Sequence, residues 1–228
     1  MAITAPTARR VAAPPLDDSP VLTWLVTWIK GHRQLAGGIA AVLVVGAGLL
    51  WWNAISKHRI EAVASERLAQ ARMAVESRNY QLAASELSQV VENYSGTYAA
   101  DEAQVLLGEV RLSQGQNQQA IDLLKRFAPS AGAHFQAQAY SLLGAGHENA
   151  GQFKEAAEAY EAGAQAAEYP FLKAQNLSDA GRAWTAAGDT AKALAAYRTI
   201  TTTMDSTLAG SLEAHVRIGE LTRGAGAL

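Results

Sequence analysis

The sequence contains no cysteine and only a modest number of charged residues. Because none of its 228 residues is a cysteine, the chain cannot form disulfide bonds, thiolate metal sites or cysteine nucleophiles. Charged residues make up 18% of the chain and the formal net charge is −2, which excludes the basic surface typical of a nucleic-acid-binding domain. Alanine is frequent, and β-branched residues are sparse outside one apolar run. This composition favours close-packed helices over a sheet, and we expect an all-α protein.

The sequence also lacks the residue patterns of an enzyme or a metal centre. No two of its histidines have the spacing of metal ligands on a helix, and its serines lack the Gly-x-Ser-x-Gly context. The histidines are His32, His58, His134, His147 and His215, and the serines considered are Ser56, Ser77 and Ser141. We therefore expect no enzymatic activity, no cofactor, no metal, no small-molecule substrate and no nucleic acid.

The apolar run Leu35–Trp52 has 18 consecutive residues without a charge. One interpretation is a phosphate-binding loop, because Gly46 and Gly48 match the first two glycines of Gly-x-Gly-x-x-Gly. The third position is Trp51, which is too bulky for the close helix–strand packing that this loop needs. As a helix the run would be about 27 Å long, enough for the core of a bilayer. We therefore predict an uncleaved transmembrane helix over residues 35–55.

The residues that flank this run fit a membrane interface. Apolar residues recur on one face of 20–31, which predicts a short amphipathic helix lying at the membrane surface, and 1–19 is predicted to be a disordered tail. Four tryptophans are predicted to anchor the interface. They are Trp24, Trp28, Trp51 and Trp52.

Small residues lie near one face of the predicted span, namely Gly37, Ala41 and Gly48. Small residues let membrane helices approach each other closely, so this face is a candidate contact with another membrane subunit. The alternative is that glycine and alanine are simply common in membrane spans.

The rest of the chain is repetitive. Segments that begin at Leu106, Leu142 and Asp179 align, with Gly108, Gly144 and Gly181 at intervals of 36 and 37 residues. A second glycine, an alanine, and then a leucine or tyrosine follow in phase: Gly115, Gly151 and Gly188; Ala120, Ala156 and Ala193; Leu124, Tyr160 and Tyr197. We expect the first glycine to permit close helix packing and the second to adopt a left-handed turn conformation.

A fainter copy precedes these three, with Ala71 and Arg78 in place of the two glycines, and Gly219 restarts the pattern near the end. The pattern resembles the tetratricopeptide repeat, a helix–turn–helix unit that stacks into a solenoid. The resemblance implies about four helix pairs and a C-terminal capping helix over residues 56–228.

In tetratricopeptide stacks the first helices build the wall of a groove that binds a partner segment. Carried over position by position, the resemblance implies a mixed, polar wall. Its residues would be Glu102, Glu109, Gln138, Ser141, Glu148, Asn149, Gln175, Ser178, Arg182 and Thr185. The equally weighted alternative is that these residues form solvated helix faces without a partner.

The order of tail, glycine-rich span and repeats resembles the YfgM-like ancillary subunits of the bacterial Sec translocon. This resemblance implies a single-pass inner-membrane protein with a cytoplasmic N-terminus and a periplasmic repeat domain, whereas the flanking charges alone are close to neutral on orientation. It also implies a scaffold that links the export channel to a periplasmic chaperone. The alternative is a structural subunit of another large membrane complex, respiratory or photosynthetic.

Overall fold

The computed structural model of the chain describes residues 20–203 and 209–222. The described residues form helices joined by short turns and contain no β-strand. The chain divides into two units, Met1–Ser56 and Lys57–Leu228.

Two helices begin in the first unit. Helix α1 spans Pro20–Gly31 and helix α2 spans Arg33–Glu76. The predicted location of residues 20–31 at a membrane surface stays a prediction, and the predicted tail 1–19 lies outside the described residues. For many residues of the apolar run, including Gly37 and Ala41, the structure describes the helical backbone and not the surroundings of the residue.

Among the residues that the structure describes, no helix is both long enough and apolar enough to cross a membrane. The predicted transmembrane helix over residues 35–55 is therefore not confirmed.

The second unit contains the repeats. After the C-terminal part of α2 come α3 (Tyr80–Asn93), α4 (Tyr98–Ser113), α5 (Asn117–Phe127), a 3₁₀ turn (Ala128–Ser130), α6 (Ala133–Asn149), α7 (Phe153–Ala166), α8 (Pro170–Ala186), α9 (Thr190–Thr203) and α10 (Ala209–Thr222). Consecutive helices pack against each other from α3 to α10. The all-α prediction is confirmed: four helix pairs, the first completed by α2, form an α-solenoid with α10 as the last described helix.

The left-handed turns occur where the repeat pattern predicts them. Gly115, Gly151 and Gly188 have φ values of 72°, 75° and 80°. The fainter first copy adopts the same turn without glycine, because Arg78 has a φ of 57° there. The helix–turn–helix geometry is therefore kept in the degenerate copy, at the cost of a conformation that a side chain disfavours.

The first glycine of each pair makes room for a large side chain from the second helix. A Cβ atom at Gly144 would lie 2.7 Å from the ring of Tyr160, and one at Gly181 would lie 2.6 Å from that of Tyr197. The repeat pattern favours a leucine or tyrosine that fills the gap to the next repeat. In the structure this side chain packs on the glycine of its own helix pair. The alanines at the equivalent position of the second helices, Ala120, Ala156 and Ala193, are fully buried.

Candidate functional site

The predicted groove wall lies on the first helices of three consecutive pairs. Helix α4 carries Glu102 and Glu109; α6 carries Gln138, Ser141, Glu148 and Asn149; α8 carries Gln175, Ser178, Arg182 and Thr185. Every one of these ten residues is exposed or half-buried, as a contact surface requires. Whether they bind a partner stays a prediction.

Four of the ten residues line one cavity. It has a volume of about 520 Å³, within the range of small-ligand pockets. Glu109, Gln138, Ser141 and Gln175 are joined there by Ala133, His134, Ala137, Leu142, Glu168, Tyr169, Phe171 and Leu172. We call it the α6–α8 cavity, because most of its lining residues belong to α6 and to the start of α8.

The polar groups of this cavity are largely free. Within the described part of the chain, no hydrogen bond or ion pair engages the side chains of Glu109, Gln138 or Gln175. By the repeat spacing Gln138 and Gln175 are equivalent to Glu102, but Glu102 forms an ion pair with Arg72 of α2. The groove position is thus occupied on α4, in the second pair, and available on α6 and α8, in the next two pairs.

The cavity lies where, among the described residues, no carboxylate of α6 accepts a hydrogen bond from the start of α8. Glu61 of α2 accepts hydrogen bonds from the backbone N–H groups of Tyr98 and Ala99 at 2.9 and 3.0 Å, at the start of α4. Asp101 of α4 accepts one from Gly132 N–H at 3.1 Å, at the start of α6. The residue 36 positions after Asp101 is Ala137, and the start of α8 has no side-chain cap. The missing carboxylate and the small alanine leave the space open.

Two exposed aromatic residues that line the cavity are not among the residues predicted from the sequence. Tyr169 and Phe171 are 55% and 65% exposed, and their rings stack with centroids 5.8 Å apart. Beside them, His134 Nδ1 lies 3.1 Å from Glu168 Oε2. The signal available was the stretch Glu168–Phe171, which joins the loop after α7 to the first residues of α8. Aromatic residues beside a loop between two regular repeats are a candidate contact surface.

The other end of the wall is closed by its own ion pairs. Arg182 of α8 pairs with Glu148 of α6, and its Nη2 also donates to Asp179 Oδ1 at 2.8 Å. The hydroxyl of Tyr160 donates to Glu148 Oε2 at 3.0 Å. We call these four residues the closed section of the wall, and the residues around the α6–α8 cavity the open section.

Burial and charge shift the titration of the closed section. Burial raises the pKa of Tyr160, and the adjacent Glu148 carboxylate raises it further. Burial also raises the pKa of the Asp179 carboxyl, while the hydrogen bond from Arg182 opposes that shift. Burial lowers the pKa of Arg182, but its contacts with Asp179 and Glu148 more than offset this and hold it above its usual value. The cation is therefore always present between the two carboxylates.

The residues predicted to contact a membrane lie in the first unit. Trp24, Trp51 and Trp52 are 63%, 71% and 75% exposed and Trp28 is half-buried. A Cβ atom at Gly48 would meet no other atom within 4 Å. The space beside Gly48 is therefore not filled by another side chain of this chain, and its predicted contact with another helix stays a prediction.

The part of the chain that the structure describes contains no group of three or more His, Cys, Asp or Glu residues placed to hold a metal ion.

Comparison with known proteins identifies the repeat domain. A family model described as a tetratricopeptide repeat-like domain matches residues 54–177. Similar solved structures include the MamA protein, with a TM-score of 0.56 and 18% identity over 72% of this chain and 83% of that one. A putative kinesin light chain from Podosopora anserina with nearly identical TPR-like repeats has a TM-score of 0.56 and 19% identity over 73% and 88%. BtubC (BKLC) from P. vanneervenii has a TM-score of 0.53 and 12% identity over 75% and 85%.

At these identities the likeness shows the fold and nothing further. A search of curated proteins finds no match to this sequence.

Proposed function

The chain belongs to the tetratricopeptide repeat-like domain family, and from this premise we propose that it is a membrane-anchored scaffold for protein–protein interaction. Repeat solenoids of this kind act as extended binding surfaces and not as enzymes. The observation that carries the proposal is the open section of the wall. Its free carboxylate and amides, and its exposed aromatic pair, have hydrogen-bonding and apolar groups that the chain itself does not engage.

The proposed anchor is the uncharged run Leu35–Trp52. Its support is the sequence: the run has the length of a bilayer core and is flanked by tryptophans and basic residues. The repeat domain is proposed to lie in the periplasm of a bacterial cell and the N-terminus in the cytoplasm. The partner complex is proposed to be the Sec export machinery, with a periplasmic chaperone as the second partner, because the order of tail, run and repeats resembles its YfgM-like subunits.

Carbonate extraction tests the anchor. We expect the full chain to stay in the membrane pellet, and the double variant Val44→Asp, Val45→Asp to move to the supernatant. The matched control is Val63→Asp, Met73→Asp, which also replaces two exposed apolar residues of α2 and should stay in the pellet. A wild-type chain that is washed off by carbonate would overturn the anchor.

The absence of cysteine makes the orientation directly measurable. Ser95 is exposed at the end of the first helix pair. In otherwise cysteine-free protein, we expect Ser95→Cys to react with a membrane-impermeant maleimide in cells whose outer membrane is permeable. Ala5→Cys should react only after the inner membrane is opened. The reverse order of labelling would place the repeats in the cytoplasm.

Partner capture tests the scaffold. The tagged full chain is extracted from native membranes in mild detergent and its partners are identified by mass spectrometry. We expect export-channel subunits and a chaperone, and we expect Gln138→Lys, Gln175→Lys to release at least one of them. The control Gln118→Lys, Gln165→Lys makes the same change on exposed residues of second helices and should release none. Recovery of one unrelated stoichiometric membrane complex would overturn the Sec assignment and leave the scaffold intact.

A further inference from the structure

The α6–α8 cavity has the chemistry of a specific peptide site. We propose that it binds an extended segment of a partner protein in which an apolar side chain is adjacent to a lysine or arginine. This inference rests on the scaffold function proposed above and names the partner chemistry of its open section.

The apolar lining of the cavity selects an apolar side chain. Ala133, Ala137 and Leu142 of α6 line the cavity together with Leu172 and Phe171 at the start of α8. The volume of about 520 Å³ is many times that of one water molecule, which occupies about 30 Å³ in the liquid. An aliphatic or aromatic side chain that enters this space would displace water from apolar walls, which is the main source of affinity in such pockets.

The charge at the rim selects a cation. The charged groups that line the cavity are the carboxylates of Glu109 and Glu168, and the lining contains neither lysine nor arginine. The imidazole of His134 already faces Glu168, whereas Glu109 has no partner within the described residues. A lysine or arginine beside the apolar residue would give Glu109 the missing cation, while an acidic segment would be repelled. Electrostatic complementarity of this kind determines which partner binds.

The free amides favour an extended backbone over a helical one. Gln138 and Gln175 lie at equivalent positions of α6 and α8, and each side-chain amide both donates and accepts hydrogen bonds. An extended segment has unpaired N–H and C=O groups to offer to them, whereas a helix uses these groups internally. The uncapped start of α8 adds backbone donors that a peptide carbonyl can satisfy.

The test is a positional-scanning array of acetylated hexapeptides, probed with the full chain in detergent micelles. We expect retention to be highest where one position is Leu, Met or Phe and a neighbouring position is Lys or Arg. Replacement of the basic residue by glutamate should abolish retention. Selection of acidic peptides, or no selection at all, would overturn the proposal.

Two matched pairs of variants locate the site, with the best array peptide as a fluorescein-labelled probe in anisotropy titrations. Glu109→Lys should weaken binding by about tenfold, which corresponds to roughly 1.4 kcal/mol, whereas Glu158→Lys on exposed α7 should change it less than twofold. Ala133→Trp should fill the cavity and abolish binding, whereas Ala195→Trp on exposed α9 should not. Circular dichroism verifies that each variant is folded. Equal binding by all four variants would overturn the site.

Failure of this inference is distinguishable from failure of the scaffold. If Gln138→Lys, Gln175→Lys releases a partner from native membranes but Glu109→Lys does not, the groove binds proteins and the proposed basic, apolar segment is wrong. If neither variant releases a partner, the scaffold proposal and this inference both fall.

Discussion

The open and closed sections of the wall are both built mainly on α6 and α8, with Glu109 of α4 added to the open section and Tyr160 of α7 to the closed one. They differ in whether the chain itself supplies hydrogen-bond partners for their polar groups. In the closed section Arg182 joins Glu148 of one first helix to Asp179 of the next, and Tyr160 ties this cluster to the packing of its own helix pair. In the open section Gln138, Gln175 and Glu109 have no partner in the described chain. One repeat architecture therefore supplies a fixed junction and a vacant surface about two helical turns apart.

The largest expected effect on stability comes from removing one tyrosine from each section and comparing the two variants. Tyr160→Ala should lower the free energy of unfolding by about 3–5 kcal/mol, because it leaves a cavity over Gly144 and removes the hydroxyl that donates to Glu148. Tyr169→Ala, in the open section, should change it by no more than about 0.5 kcal/mol, because that side chain is 55% exposed. Urea denaturation followed by circular dichroism measures both. Similar losses for the two variants would show that the sections do not differ in packing.

Alkaline pH should act through the buried tyrosines. Burial raises the pKa of both Tyr160 and Tyr197 above 10.0 in the folded chain. Above pH 10 the unfolded chain therefore loses these protons first, and stability that is fully present below pH 10 is lost as the pH rises. The loss should approach about 1.4 kcal/mol per pH unit for each group that is ionised only when unfolded.

Urea denaturation between pH 9 and 12 measures this slope. The double variant Tyr160→Phe, Tyr197→Phe should lose stability less steeply than the wild-type chain. A slope unchanged by the substitutions would mean that other groups cause the alkaline loss.

Loss of the cation at the junction should have a smaller effect. Arg182→Leu should destabilise the chain by about 1 kcal/mol, because the side chain is half exposed and solvent screens its ion pairs. Arg198→Leu replaces an exposed arginine of α9 whose guanidinium has no partner among the described residues, and should have almost no effect. A loss as large for Arg198→Leu would remove the ion pairs as the explanation.

The smallest effect is expected at the rim of the cavity. His134 and Glu168 are 64% and 41% exposed as side chains, and a pair of this kind contributes at most about 0.5 kcal/mol. A double-mutant cycle of His134→Ala and Glu168→Ala, read by urea denaturation at pH 6, measures the coupling. A coupling above about 1 kcal/mol would mean that the ion pair at the rim stabilises the fold, as the ion pairs of the closed section do.

The repeat architecture was predictable because it depends on spacing. Glycines in phase, each seven residues before another glycine, specify a helix that must pack closely and a turn that must be left-handed. The groove residues could also be assigned to first helices, since periodicity fixes which helix carries each position. The spacing does not reveal which side chain of one first helix contacts the next first helix. Glu61 and Asp101 bridge different positions of successive pairs, so their role does not follow from the repeat.

The sequence by itself determined that this chain folds into stacked helix pairs and that cysteine chemistry is excluded, because both depend only on which residues occur and how they are spaced. Only the tertiary structure decided which part of the wall is closed and which is open. That outcome depends on pairs such as Glu148 and Arg182, which lie 34 positions apart in the chain and meet only when successive repeats stack. The cavity arises for the same reason: Ala137 leaves space that is visible only once α6 and α8 lie side by side.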